Sequence, residues 1–148
     1  MEWTERPGPE LTAAELHAIL ELRTAVFVVE QDCPYQDIDG HDLEPGVVHL
    51  WAAGERGIAA YARLRPPHEG SSRIGRVVVA PHARGRGLGH DLLRRSVERC
   101  AQRWPDADIV LAAQSHLQDY YGHAGFRPFG EEYLEDGIPH VDMWRPRA

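Results

Sequence analysis

Residues 75–97 read GRVVVAPHARGRGLGHDLLRRSV, and three kinds of local structure are written into them. The run Val77–Val79 predicts a buried strand that ends before Pro81. Leu88, Leu92, Leu93, Val97 and Cys100 recur on one face of a helix that Pro105 stops. Between strand and helix lies Arg84-Gly85-Arg86-Gly87-Leu88-Gly89. Glycine lets a backbone turn sharply enough for successive N–H groups, together with the helix N-terminus, to face one anion. A phosphate or pyrophosphate fits such a turn, and Arg84 and Arg86 add positive charge beside it. A dinucleotide fingerprint would need glycine at position 90, which is His90, and a P-loop needs a lysine, which the chain lacks.

Upstream, Thr12 and Glu15 form a capping box before a helix with Leu16, Ile19, Leu20, Arg23, Val26 and Phe27 at helical spacing. Glu30 to Glu44 holds six acids and no arginine, broken by Pro34 and Gly40, and predicts an ordered acidic loop. Val48–Ala53 and Ile58–Arg65 are strand-like runs around the hairpin signal Gly54-Glu55-Arg56-Gly57, and Gly75–Ala80 is a third, central strand. Downstream, Ile109–Ala113 predicts a short buried strand. Ser115 with Gln118 suggests a second capping box and a helix over His116–Ala124, ended by Gly125. Arg127–Tyr133 and His140–Arg145 predict two last strands around Glu135-Asp136-Gly137. This order implies one α/β (α+β) domain, residues 1–148, with helices on both faces of a mixed sheet.

The chain has 148 residues, a size typical of one domain, and its 43% hydrophobic and 26% charged residues exclude disorder. No stretch free of Asp, Glu, Lys and Arg exceeds ten residues, too short for a membrane span of about 20. The acidic N-terminus lacks the form of a signal peptide, so a cytoplasmic location is expected. Cys33 and Cys100 stand far apart, outside any disulfide framework or zinc spacing. An EF-hand counted from Asp37 fails, because its sixth and twelfth positions are Asp42 and Val48; no metal is expected. Net charge is −7, yet Arg73 to Arg103 carries eight arginines against Asp91 and Glu98. That patch suits a small polyanion rather than a nucleic acid, which the remaining acidic surface would repel. Arg94, Arg95, Arg99 and Arg103 also read as an ordinary solvated helix face.

A valine strand, R-x-x-G-x-G, an amphipathic helix, a short strand and then Tyr121-Gly122-His123-Ala124-Gly125-Phe126 occur in an order that resembles the GNAT superfamily of acyl-CoA-dependent N-acetyltransferases. Three further segments, Val26–Gln31, Cys33–Gly40 and Glu135–His140, resemble its ElaA-like branch. The resemblance covers nearly the whole chain. It implies a mostly antiparallel sheet and direct transfer of an acetyl group from acetyl-CoA to an amine. Gln114 departs from the asparagine frequent at its position.

In that reading the coenzyme A pyrophosphate rests on Arg84, Gly85, Arg86, Gly87, Leu88 and Gly89, while the pantetheine arm runs along Val77, Val78 and Val79 near Gln114. Tyr121 holds the position from which family members protonate the leaving thiolate, with Tyr120 as its neighbour and rival. The base that deprotonates the amine is sought among His116, Glu30 and His140. Asp37, Asp39, Glu135 and His140 are expected on the acceptor side, where the acids would favour a cationic amine, small molecule or peptide. Monomer and homodimer both remain open. The alternative is a noncatalytic acyl-CoA-binding or protein-interaction module on the same fold.

Overall fold

In the computed structural model, which describes residues 1–147, the chain runs β1 (Glu2–Pro7), α1 (Ala13–Arg23), β2 (Val48–Gly54), β3 (Gly57–His68), β4 (Ser71–Val79), α2 (Leu88–Arg103), β5 (Asp108–Gln114), α3 (Gln118–Gly122), β6 (Arg127–Glu135) and β7 (Ile138–Arg145). The strands form one sheet of order β1-β2-β3-β4-β5-β7-β6. All neighbours are antiparallel except β4 and β5. The valine strand is the middle one of seven, and it begins at Ser71, four residues before the expected start. No helix among the described residues is long and apolar enough to cross a membrane.

Each face of the sheet receives the apolar stripe of one helix. Leu92, Leu93, Val97 and Cys100 of α2 join Leu50, Ala62, Leu64, Ile74 and Leu111 in the larger core. Ile19 of α1 and Val26 beyond it pack on Trp51, Tyr61 and Val78 on the opposite face. The Thr12–Glu15 capping box forms: the Thr12 hydroxyl accepts from the Glu15 N–H at 3.0 Å, and the Glu15 carboxylate accepts from the Thr12 N–H at 2.9 Å. Past Arg23 the helix widens into a π turn, Thr24–Glu30, whose end is marked by Gln31 N–H donating to the Val26 carbonyl at 3.1 Å.

The edge strand β1 carries no apolar alternation, and the sequence did not announce it. Pairing with β2 and contacts to α2 hold it in place. Arg99 and Arg103 bond Glu5 at 2.9 and 3.2 Å, and Arg95 lies 4.5 Å from the Trp3 ring centroid. Arg94 pairs with Glu98 and Asp91. The α2 arginines thus have protein partners and do not form an anion site.

Two expectations are corrected. The Ser115–Gln118 capping box does not form. Gln114, not Ser115, holds the cap position of a 3-10 turn over Ser115–Leu117, so the Ser115 hydroxyl sits one residue too far inside to reach a free N–H. Gln118 bonds the Ser115 carbonyl instead, the hydroxyl has no partner, and α3 is confined to five residues.

The acidic loop is ordered as expected, but Asp37, Asp39 and Asp42 are turned onto arginines of the protein and are not free for a cationic acceptor. Arg23, 0% exposed, donates to Asp37 at 3.0 Å and to Asp42 at 2.6 Å. Arg63 donates to Asp39 at 2.7 and 2.9 Å and to Asp42 at 2.9 Å. Arg76 reaches Asp37 at 2.9 Å and Asp39 at 3.2 Å. Beneath them the buried His49 donates Nε2–H to the Asp42 carbonyl at 2.8 Å, because a carbonyl can only accept. Its Nδ1 therefore accepts the Tyr61 hydroxyl at 2.7 Å.

The feature that makes a site is the parting of β4 and β5. They pair only through Ser71–Arg73 and Asp108–Val110, and no ladder joins them beyond. A register shift on β4 falls where Arg76 adopts φ +52°, next to the start of this opening.

Candidate active site

A cleft of about 760 Å³ fills the gap between the diverging strands. Its walls come from β4, β5, the start of α3, the π turn and the β6–β7 hairpin. Val77, Val78, Val79, Arg84, Gly89, Gln114, His116, Tyr121, Glu30, Asp39, Glu135 and His140, separated by up to 110 positions in sequence, all line it. Gly85, Arg86, Gly87 and Leu88 continue the turn at its edge.

Gly85 and Gly87 adopt φ +80° and +78°, a left-handed conformation that side chains resist, and an added Cβ at either would meet nothing within 4 Å. Gly87 is the N-cap of α2 and supplies no side-chain cap, so the first N–H groups of that helix have no side-chain acceptor. An open, uncapped helix start flanked by arginine fits an anionic diphosphate. Gly89 serves differently. Its φ is ordinary, and a Cβ there would touch the Tyr120 ring at 3.5 Å. The Tyr120 hydroxyl donates to the Gly89 carbonyl at 2.6 Å, which ties α3 to the start of α2.

That bond separates the two tyrosines. Tyr120 is occupied structurally, whereas the Tyr121 hydroxyl has no hydrogen-bond partner among the described residues and its side chain lines the cleft. Burial first, and the neighbouring Tyr120 second, push the Tyr121 phenol above its ordinary value. It therefore stays protonated at neutral pH and is available as a donor.

Of the three base candidates, Glu30 is held by Arg84, whose two terminal nitrogens lie 2.7 and 2.9 Å from its oxygens while Nε donates to the Val79 carbonyl at 3.0 Å. The hydrogen bond from Arg84 keeps the Glu30 carboxyl below its usual range. His116 is exposed on the rim. His140 is nearly buried, and its Nδ1–H donates to the Ile138 carbonyl at 2.7 Å. Its Nε2 lies 3.5 Å from Glu135 Oε2.

Asp37, expected beside the acceptor, is buried in the arginine network away from the cleft. Asp39 does line the cleft, but its oxygens are engaged by Arg63 and Arg76. Burial opposes its ionisation, and the hydrogen bonds from Arg63 and the His41 N–H outweigh that and hold the carboxyl well below the usual range. Gln114 donates to Gln31 at 3.3 Å. The sequence reading missed Arg63, Arg65, Tyr35 and Cys33, which also line the cleft. Arginine at positions 63 and 65 of a strand, two apart and so on one face, was the available signal.

A family model described as an acetyltransferase (GNAT) domain matches residues 12–145. Protein ElaA of Escherichia coli (strain K12) is 44% identical over 147 residues, covering 98% of this chain and 96% of that one. Its crystal structure superposes with a TM-score of 0.93 over 98% and 99% of the two chains. The crystal structure of an acyl-CoA N-acyltransferase from Pseudomonas aeruginosa shares 50% identity and a TM-score of 0.93, over 97% of this chain and 98% of that one. The cleft between parted strands, the uncapped glycine turn and these matches along the whole chain agree: the protein belongs to the GNAT acetyltransferases, in their ElaA-like branch.

Proposed function

We propose that the cleft transfers an acetyl group directly from acetyl-CoA to a primary amine of a small molecule or peptide. The observation that carries this reading is the unpartnered Tyr121 hydroxyl inside the gap between β4 and β5, downstream of the open glycine turn. Coenzyme A supplies the acyl group as an activated thioester. The N–H groups of Gly85–Gly89 would hold its diphosphate, with Arg86 adding charge and Arg84 turning from Glu30. The strand edge of Val77–Val79, unpaired on the β5 side, offers main-chain groups to the amides of the pantetheine arm. A β4 N–H near Val79 would polarise the thioester carbonyl, a contribution on the order of 3 kcal/mol for one well-aimed donor.

In the reaction the amine nitrogen forms the new amide bond to the acyl carbon while the carbon–sulfur bond breaks. His140 Nε2 takes the proton from the attacking amine, and the Tyr121 hydroxyl gives one to the departing sulfur. His140 is favoured over Glu30 as the base because its Nδ1 is committed to the Ile138 carbonyl, which leaves Nε2 for the amine. A cationic preference of the acceptor loses Asp37 and Asp39 as support, since both are neutralised by arginines, and keeps only Glu135 and Asp136 at the cleft. The free Tyr121 hydroxyl also weighs against a noncatalytic acyl-CoA-binding module. The test is acetyl-CoA-dependent thiol release across amines, amino acids and peptides with the wild type and Tyr121→Phe. Turnover lost in the variant with coenzyme A binding kept supports transfer; equal turnover returns Tyr121 to the core.

A further inference from the structure

Five arginines line the cleft: Arg63, Arg65, Arg73, Arg76 and Arg84. Three are neutralised within the protein, Arg63 and Arg76 by the buried aspartates and Arg84 by Glu30. The other two stand directly opposite each other, because Arg65 of β3 is the register partner of Arg73 of β4. Directly opposed residues on antiparallel strands point to one face with Cβ atoms about 4.5–5.5 Å apart, and like charges placed so repel. The preceding pair, Leu64 and Ile74, is buried in the α2-side core, so Arg65 and Arg73 project to the other face, the side of α1. On that face α1 and the π turn pack over Trp51, Tyr61 and Val78. Arg65 has one long, half-exposed ion pair, to Glu44 at 3.9 Å, and Arg73 has no ion pair among the described residues. A sheet that places a guanidinium with no ion pair beside one held only by a long contact to Glu44, both in its own cleft, is built for an anion from outside.

We propose that Arg65 and Arg73 bind a carboxylate of the acceptor, which makes the acceptor class an amino acid or acidic peptide rather than a polyamine. The inference rests on the transfer reading above. Two guanidinium forks suit the planar, bidentate geometry of a carboxylate. Position along β4 sets where that group lies on the acceptor. Arg73 precedes Val77 by four residues, roughly 13 Å of extended strand, so the carboxylate sits at the end of the acceptor remote from the amine. Glu135 and His140 on the opposite wall face the amine end. Together the two walls match an acceptor that is positive at one end and negative at the other.

The test compares three amines of equal length and long enough to reach from the amine end to Arg73, 8-aminooctanoate, its neutral amide and 1,8-diaminooctane, by thiol release with acetyl-CoA, together with a glutamate-containing peptide. The amino acid or the acidic peptide is expected to exceed its neutral amide in kcat/KM by about tenfold, a ratio that shrinks with salt. Arg65→Gln and Arg73→Gln should each bring the ratio toward one, and Arg73→Lys, which keeps the charge, should restore part of it. A merely structural arginine would lower the melting temperature when replaced; here relief of repulsion should hold or raise it. Equal use of acid and amide overturns the carboxylate assignment while acetyl transfer stands. Turnover of none of them overturns the transfer reading and this inference with it.

Discussion

Arg84 and Glu30 clamp each other at the cleft, two guanidinium nitrogens against two carboxylate oxygens at 2.7 and 2.9 Å. The arginine that begins the diphosphate turn is thus held by a carboxylate of the π turn, and an anionic ligand competes with Glu30 for it. Glu30→Gln should tighten coenzyme A binding several-fold at low salt, and the gain should fade as salt screens this exposed pair. Titration calorimetry at two ionic strengths checks it, and an affinity identical to the wild type at both would show that Arg84 does not turn.

Gly87→Asp places a side chain and a negative charge at the uncapped start of α2, on a backbone at φ +78°. Coenzyme A at about a hundred times its Kd should stabilise the wild type by about 2.7 kcal/mol. The variant should show no shift in melting temperature with coenzyme A, whatever its own stability.

Tyr121→Phe should lower kcat about 10²-fold or more and leave coenzyme A affinity nearly intact, since a proton donor acts in the transition state. Tyr120→Phe removes the 2.6 Å bond to Gly89 and should act through the position of α2, weakening coenzyme A binding more than kcat. His140→Gln should lower kcat/KM about 10²-fold, with added imidazole restoring part of the rate.

The buried ion network predicts a stability phenotype. Asp42 accepts from both Arg23 and Arg63, and Arg23 is fully enclosed. Asp42→Asn leaves buried positive charge without its partner and should cost about 3–5 kcal/mol, seen as a lower urea midpoint with unchanged slope.

Acid should unfold the protein in two stages. Burial holds the His49 imidazole below its ordinary value, so its contribution is complete above the unfolded value of about 6.5 and is lost as pH falls through the folded one. Protonated Nδ1 can no longer accept the Tyr61 hydroxyl. Asp39 and Asp42 are also held low in the fold, so their contribution persists down to about pH 4 and disappears below. Stability measured against pH should decline gently from about 6.5 and steeply below about 4, and His49→Gln should lack the gentle part.

The residues legible in sequence are those whose role is local. Glycines in a turn, valines in a row and a capping box at Thr12 each declare their structure within a few positions. The Tyr121 motif and the turn at Arg84–Gly89 were joined into one expected site only by the order of motifs that resembles the GNAT superfamily. Partners far apart in the chain were not legible. Asp37 and Asp39 look like solvated loop acids until the fold brings Arg23, Arg63 and Arg76 against them. β1 gave no signal because its place is set by Arg99 and Arg103 on Glu5, roughly ninety-five positions away. Ser115 misled because a capping box and a 3-10 turn share the same residues and differ by one position in register.

The π turn over Thr24–Glu30 sets the angular position of Glu30 relative to Val26, which the same turn seats in the core. Wider turns of this kind are equivalent to extra residues slipped into an α-helix, and each residue of an α-helix accounts for about 100° of rotation. Deleting one residue there would rewind the segment and swing Glu30 off Arg84, with Ile19 still seated on Tyr61. Insertions and deletions in this short stretch are thus a route by which relatives can retune the cleft without rebuilding the domain.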